Sequence, residues 1–191
     1  YTYLDQAPIL EVDIHEGLEN TLVIMQHKLR QGVTIKREYS ADLPRIEAYA
    51  SELNQVWTNI IDNAVDAMNG KGEIVLRTYA EDNRVVVEIV DNGPGMPENI
   101  RSRIFEPFFT TKQVGEGTGL GLSTAYGIVK QTGGFIFADS PPGQGATFTI
   151  YLPAYDKVEM VRAPEAEVRR PRDLTGRGLV LLVEDEDPVR S

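Results

Sequence analysis

The chain has 191 residues, 41% of them hydrophobic, and its 19 basic and 29 acidic residues give a formal charge of −10. The basic residues are scattered rather than gathered into a stripe that would neutralise a phosphate backbone, which argues against a nucleic-acid partner. The absence of cysteine excludes disulfides, thiolate catalysis and cysteine-based metal sites, and no apolar run approaches the roughly 20 residues of a membrane span.

Helical and alternating periodicities follow one another along the first half of the chain. Asp13 and, three places later, Glu16 form a start that resembles a capping box. The most regular apolar spacing belongs to the second helix, which the sequence Asn-Gly-Lys-Gly at 69–72 ends. The predicted elements of this half are a helix over about 14–31, a strand over 33–39, a short extended piece around 46–48, and a helix over 51–68.

Turn-like residues separate the elements of the second half. Two alternating stretches flank Glu81-Asp82-Asn83 and predict a hairpin, while residues 92–117 hold no long periodic segment and predict a mobile loop. The predicted elements are strands over 73–79 and 84–91, a helical turn near 99–104, a helix over 120–132, and a final hairpin of 135–140 and 146–152. Helices mixed with mainly antiparallel strands predict an α+β fold, a two-layer α/β sandwich.

The two ends of the chain differ in composition from its centre. Residues 155–177 are rich in Pro, Glu, Arg and Ala and predict a linker, and residues 178–191 open with a buried type of strand that runs into acids. Because the sequence begins at Tyr1 without a methionine, we expect an excised fragment, in which residues 1–8 are a linker and residues 9–154 are one domain.

Asn59 and Asn63 lie four residues apart on the strongest predicted helix and therefore share one face. Mg²⁺ prefers oxygen ligands and takes several from water and substrate phosphates, so one or two amide oxygens are adequate protein ligands. Taken alone, such a pair is more often two solvated polar residues.

An acid and two glycines close the predicted hairpin. Asp91 stands at the end of a strand, where it can accept a hydrogen bond from an exocyclic amine. Gly93 and Gly95 allow the backbone to approach a flat ring. An isolated Asp-x-Gly-x-Gly is usually only a turn.

Four glycines at every second position, from Gly115 to Gly121, immediately precede a predicted helix. Backbone N–H groups at such a helix start suit phosphate oxygens. The segment lacks the Gly-Lys-Ser/Thr ending of a P-loop, and no strand leads directly into it, which also argues against a dinucleotide fingerprint.

The four motifs together resemble, in order and spacing, the N, G1, F and G2 boxes of the GHKL superfamily, specifically those of histidine kinases. The matching segments are Asn59…Asn63, Asp91-x-Gly-x-Gly95, Phe105-x-x-Phe-Phe109 and Gly115-x-Gly-x-Gly-x-Gly121. The resemblance covers about residues 9–154. It implies a Bergerat-type, histidine kinase ATPase-like sandwich that holds ATP between the central helices and a flexible lid.

The resemblance implies a role for each matched position. Asn63 would bind Mg²⁺ with help from Asn59, and Asp91 would take the adenine amine. Lys112 would be a phosphate cation, although a lone surface lysine is as often only solvated. Thr147 would support the adenine contact through water. The implied catalytic positions are Asn59, Asn63 and Lys112, and these bind ATP or ADP with Asp66, Asp91, Gly93, Gly95, Met96, Phe105, Thr110, Thr111, Gly117, Thr118, Gly119, Leu120, Gly121, Leu122 and Thr147.

Position 59 separates the subfamilies that the resemblance leaves open. GHKL members that hydrolyse ATP carry a glutamate as general base where Asn59 stands, and an amide cannot take a proton from water near neutral pH. The resemblance therefore implies γ-phosphoryl transfer to a histidine, achieved by positioning and charge neutralisation. A nucleotide-binding regulatory module and a GHKL ATPase are the alternatives.

Neither histidine of the chain is expected to accept the phosphoryl group. His15-Glu16 imitates the His-Glu of an acceptor segment, but the acceptor belongs on a two-helix dimerisation hairpin, and strands follow here. His27 shows no partner in the sequence. We expect the acceptor upstream, on the dimerisation domain of a homodimeric parent.

The C-terminal segment resembles the first strand of a receiver domain, with Glu184 and Asp185 as its paired acids, the alternative being a solvated acidic tail. With residues 126–139, it resembles alphaproteobacterial hybrid kinases of the cell-cycle type. Such kinases respond to cyclic di-GMP at the catalytic domain, which implies Tyr126 as a second nucleotide contact, the alternative being an ordinary helix residue. We expect a cytoplasmic domain, compatible with a parent anchored in the inner membrane.

Overall fold

The computed structural model describes residues 9–112 and 117–155. They lie in the first of the two units into which the chain divides, Tyr1–Asp156. Across this part of the chain, none of the helices is both long enough and apolar enough to cross a bilayer. The predictions for residues 1–8, for 156–177 of the linker and for the receiver-like strand fall outside the described residues.

The helices form where the apolar spacing predicts them. Asp13 is the N-cap of the first helix, because its carboxylate accepts hydrogen bonds from the backbone N–H groups of His15 (2.9 Å) and Glu16 (3.2 Å). The described helices are α1 (Ile14–Ile24), α2 (Gln26–Leu29), α3 (Ala50–Ala67), α4 (Glu98–Arg101) and α5 (Gly121–Gln131).

The first predicted helix is interrupted, which the apolar spacing did not indicate. A ψ of 1° at Met25 leaves the helical region, so the segment expected over 14–31 becomes α1 followed by the short α2 and ends at Leu29. Met25 and Leu29 are both buried, so the break leaves the apolar face of the segment on the core.

The strands form a mixed sheet in the order β2-β4-β5-β7-β6 and a separate antiparallel pair, β1-β3. In the larger sheet β2 and β4 run parallel and the other neighbours are antiparallel. The described strands are β1 (Leu10–Val12), β2 (Val33–Tyr39), β3 (Ile46–Ala48), β4 (Gly72–Glu81), β5 (Arg84–Asp91), β6 (Phe135–Asp139) and β7 (Ala146–Pro153). The predicted two-layer α+β sandwich is confirmed.

The core lies between one face of this sheet and the helices, with α3 packed between α1 and α5. α3 buries a stripe that includes Trp57, Ile60 and Ile61, each fully inaccessible to solvent. Asn59 and Asn63 fall between these apolar positions and remain partly accessible. The core thereby fixes the direction in which both amides face.

His15 packs against side chains of the sheet. Its Nε2 lies 2.7 Å from Thr78 Oγ1, and its ring stacks on Tyr39 with centroids 4.4 Å apart and planes 10° from parallel. These contacts join the start of α1 to β4 and β2. That His15 is not a phosphoacceptor stays a prediction.

Candidate functional site

A cavity of about 1160 Å³ runs along the polar face of α3. Its other walls are formed by α2, the loop after β5, segment 109–112, residues 117–119, and the starts of α5 and β7. Most of the predicted binding positions line it, namely Asn59, Asn63, Asp66, Asp91, Gly95, Met96, Thr110, Thr111, Lys112, Gly117, Thr118, Gly119, Gly121 and Leu122. Residues from three widely separated parts of the sequence therefore meet in one space.

Asp91 lies at the base of the cavity, 5% exposed, at the end of β5. Its Oδ1 accepts hydrogen bonds from the backbone N–H groups of Gly93 (2.8 Å) and Ala146 (3.2 Å). Burial raises the pKa of the Asp91 carboxyl, and these two hydrogen bonds oppose the rise. Both bonds go to Oδ1, so Oδ2 is the oxygen available to a hydrogen-bond donor in the cavity.

Two turns are packed tightly beside Asp91. Gly95 has a φ of +69°, and a Cβ built on it would lie 2.2 Å from the Pro141 carbonyl oxygen. Gly145 has a φ of +78°, and its Cβ would lie 1.9 Å from the Asp91 carbonyl oxygen. Only glycine fits such contacts at positive φ. The loop after β5 and the β6–β7 turn therefore pack closely against each other beside Asp91.

The expected position of Thr147 is corrected by the structure. Ala146 and Phe148 line the cavity, whereas Thr147 does not. Successive residues of a strand point to opposite faces, so the side chain between them points away. Ala146, whose N–H binds Asp91, occupies the place in the wall that Thr147 was expected to fill.

Three other predicted positions support the cavity without lining it: Gly93, Phe105 and Leu120. The Gly93 N–H donates to Asp91. Phe105 packs against Phe148, with ring centroids 6.5 Å apart. Leu120 is the N-cap residue of α5.

Asn59 and Asn63 face the cavity with different hydrogen-bond environments. Asn63 Nδ2 donates to the Asn59 carbonyl oxygen at 2.8 Å, which leaves Oδ1 of Asn63 as the free end of its amide. Asn59 Nδ2 is buried without a partner among the described residues. A buried amide that lacks a partner fits a ligand that completes its hydrogen bonding.

These two amides also fit a hard cation that is held mainly by phosphates. No group of three or more His, Cys, Asp or Glu side chains suited to a metal ion exists within 9–112 and 117–155. Mg²⁺ requires no such group when substrate phosphates and water supply most of its oxygen ligands. Asn63, with Asn59, is the pair of amides that would hold it.

The start of α5 lies close to Asn59. A Cβ built on Gly121 would lie 3.6 Å from Asn59 Oδ1, an ordinary contact distance. α5 is 11 residues long and begins without a side-chain hydrogen bond at its N-cap. Its first backbone N–H groups are therefore available to phosphate oxygens beside the two amides.

Residues 109–112, which form one wall of the cavity, follow a close contact between Phe108 and Gly119. The Phe108 N–H donates to the Gly119 carbonyl oxygen at 3.0 Å, and a Cβ on Gly119 would lie 2.7 Å from Phe108 Cα. Within this segment, Lys112 Nζ lies 2.5 Å from Asp66 Oδ2 on α3. A predicted phosphate cation is thus paired with a carboxylate at the cavity wall.

Several lining residues were not predicted from the sequence. They are His27, Lys28 and Gln31 in and after α2, Asp62, Ala64, Val65 and Ala67 on α3, Asn69 and Gly70 after it, Pro94 after β5, Ile100 and Ile104 before the F box, Phe109 at its end, and Ala146 and Phe148 on β7. Asp62 could have been found, because its helical spacing from Asn59 and Asp66 puts it on the same stripe. No motif marks His27 or Lys28, whose positions depend on how α2 packs.

Known proteins resemble this chain in sequence. Residues 48–156 match the family model described as histidine kinase-, DNA gyrase B-, and HSP90-like ATPase. Sensor kinase CckA of Brucella abortus (strain 2308) is 41% identical over 199 aligned positions, which cover 94% of this chain and 21% of CckA. The chain thus spans about a fifth of that relative.

Solved structures are similar over the same region. The catalytic domain of histidine kinase ThkA aligns with a TM-score of 0.69 at 30% identity, covering 77% of this chain and 96% of ThkA's. Full-length ShkA, solved in complex with AMPPNP, aligns with a TM-score of 0.69 at 32% identity, and the alignment covers 78% of this chain and 32% of the ShkA chain. The likeness therefore extends to a complete catalytic domain and to part of longer kinases.

The raised pKa of Asp91 predicts a pH dependence of folding stability. Between the ordinary pKa of an aspartate and the raised value, the folded chain binds more protons than the unfolded chain. Stability contributed by Asp91 should therefore fall as pH rises through that window. We expect the free energy of unfolding of the wild type, minus that of Asp91→Asn, to decrease across it in urea titrations at a series of pH values. A difference that rises with pH would contradict the assigned environment.

Proposed function

Because the chain belongs to the family of histidine kinase-, DNA gyrase B- and HSP90-like ATPases, we propose that it binds Mg-ATP and transfers the γ-phosphoryl group to a histidine outside it. Its relatives are sensor histidine kinases. The observation that carries the proposal is the place of Asn59, which lines the cavity where an ATPase needs a general base.

Each wall of the cavity has a task in this reaction. Asp91 receives the adenine amine on Oδ2 and so fixes the base at the floor. The start of α5 and Lys112 would face the phosphates, and Asn63 would offer its amide oxygen to Mg²⁺. With the nucleotide held at both ends, the γ-phosphorus is presented in one orientation to an incoming nucleophile.

The transfer itself requires no proton acceptor from this domain. The lone pair of one ring nitrogen of the acceptor histidine forms a bond to the γ-phosphorus while the bond to the β–γ bridging oxygen breaks and ADP leaves, and the proton on the other ring nitrogen passes to water or to the acceptor's own domain. The nucleophile is the imidazole nitrogen rather than water. Asn59 fits this chemistry, because its amide orients phosphates or metal and cannot deprotonate water.

The partners follow from the proposed reaction. The acceptor lies on a dimerisation domain of a homodimeric parent, and the phosphoryl group then passes to an aspartate of the parent's own or a separate receiver domain. ThkA has been solved in complex with a response regulator, TrrA, which supports this kind of partner. We place the domain in the cytoplasm, within a parent that can be anchored in the inner membrane, and expect no nucleic-acid partner.

Phosphotransfer in trans tests the proposal. We expect the chain, supplied with labelled Mg-ATP and a separate dimerisation hairpin from a related kinase, to produce acid-labile, alkali-stable label on the hairpin. A hairpin with its acceptor His changed to Ala is the control. Tight Mg-ATP binding without labelled hairpin would favour a regulatory nucleotide-binding module. Steady multiple-turnover hydrolysis by the chain alone, lost in Asp91→Asn, would favour an ATPase.

Calorimetry separates the roles of Asp91 and Asn63. Asp91→Asn replaces an acceptor with a donor at the adenine amine, and we expect a loss in ATP affinity of about ten-fold or more with and without Mg²⁺. Asn63→Ala should weaken ATP mainly when Mg²⁺ is present. Thr147→Ala, outside the cavity, is the control. Equal losses for Asn63→Ala in both conditions would contradict the metal role.

We propose as a second function that cyclic di-GMP binds at Tyr126. The Tyr126 ring is 39% exposed and packs 5.4 Å from the Phe105 ring, and Lys130 Nζ lies 5.6 Å from its centroid. The same Nζ lies 4.3 Å from the centroid of the exposed Phe135. Aromatic faces beside a cation suit a planar base joined to a phosphate.

Direct titration tests the second nucleotide. We expect cyclic di-GMP to bind the wild type in a fluorescence or calorimetric titration and to bind Tyr126→Ala at least about ten-fold more weakly, as expected when a base loses its stacking partner. ATP affinity should be unchanged in that variant, which shows that the fold is intact. Phe137→Ala, on the same strand as Phe135, is the matched aromatic control. Equal binding to wild type and Tyr126→Ala would contradict the proposal.

A further inference from the structure

Lys28 is a cation of the cavity wall that belongs to none of the four motifs. It lies on α2 and its ammonium donates to Asp62 Oδ1 on α3. Its neighbour Leu29 is 7% exposed, so the helix that carries Lys28 is fixed to the core. The backbone that carries Lys28 is therefore anchored beside α3, while its exposed side chain reaches the cavity wall.

The acidic residues of α3 would repel a bound phosphate, and a cation at this wall would reduce that repulsion. Asp62 and Asp66 lie one helical turn apart and line the cavity on the same stripe as Asn59 and Asn63. A triphosphate bound along this stripe would meet two carboxylates. Among the described lining residues, the lysines are Lys28 and Lys112, and each is paired with one of these carboxylates.

We propose that Lys28 is a second phosphate-binding residue of the nucleotide site, held at the cavity wall by Asp62, and that it contacts the β- or γ-phosphate of bound ATP. The inference rests on the proposed function and deepens it. Asp62 is then the partner that the ammonium leaves when the phosphate binds, and its charge competes with the phosphate for the ammonium. On binding, the flexible lysine stem lets the ammonium turn from the carboxylate to a phosphate oxygen.

The geometry also distinguishes this role from that of a structural ion pair. Side chains of Lys28 and Asp62 are 50% and 37% exposed, and exposed pairs of this kind add little to stability. A purely structural pair would make both residues equally important to the cavity. A phosphate ligand and its anionic holder should affect ATP in opposite directions, because removal of Asp62 takes away a charge that repels phosphate.

Titration of AMP, ADP and ATP in the presence of Mg²⁺ tests the inference. We expect Lys28→Gln to weaken ATP about ten-fold, the size of one lost charge-assisted hydrogen bond, and AMP less than about two-fold. Lys28→Arg should restore most of the ATP affinity. Asp62→Asn should leave ATP affinity unchanged or increase it. Lys36→Gln is the matched control, since Lys36 pairs with Glu73 on the sheet and does not line the cavity.

Three results would overturn the inference while the proposed function stands. They are an unchanged ATP affinity in Lys28→Gln, an equal loss for AMP and ATP in that variant, and losses of the same size in Lys28→Gln and Asp62→Asn. The last would identify the pair as a packing contact between α2 and α3. A wild-type chain that binds no Mg-ATP would instead overturn the proposed function and this inference with it.

Discussion

α3 carries an apolar stripe that faces the core and a polar stripe that faces the cavity, and the remaining structure depends on this arrangement. Over 18 residues the helix buries one stripe, including Trp57 and Ile61, against the sheet and neighbouring helices. The positions between them place Asn59, Asn63 and Asp66 on the cavity wall. A helix cannot rotate to improve one stripe without moving the other. The quality of the core therefore sets the accuracy with which the polar groups are aimed.

The Asp91 carboxylate is the second group whose position the fold fixes. Burial disfavours its charge, while two backbone N–H groups, from Gly93 and Ala146, favour it. The second of these comes from β7, so the strand pairing of β5 with β7 holds the carboxylate in place. The close contacts at Gly95 and Gly145 remove the space into which these two turns could relax. The acceptor is thus preorganised, and a base amine that reaches it does not have to order the site.

Local sequence patterns predicted the elements, and most of the binding positions that the resemblance implies line the cavity. The predictions failed where tertiary packing decides. Helical spacing located α3 and the amides of its polar face because one helix holds both stripes. The break at Met25 has no proline or glycine to mark it in the sequence. The expected position of Thr147 was wrong because the face of the sheet on which its side chain lies depends on the register of β7. No motif in the sequence fixes that register. Lys28 reaches the cavity only through the packing of α2 against α3.

The paired lysines offer a physical account of how a strongly acidic chain handles an anionic substrate. In the proposed site Lys112 pairs with Asp66, and Lys28 pairs with Asp62. A phosphate then replaces a carboxylate as the partner of each ammonium, so the net gain is the difference between two similar interactions. The carboxylates that lose their partners stay near the phosphates and oppose them. If the proposed phosphate contacts form, ADP offers the two lysines one phosphate fewer than ATP does, and the carboxylates compete for the ammonium groups more effectively. The proposed charge arrangement would then favour ATP over ADP at this site.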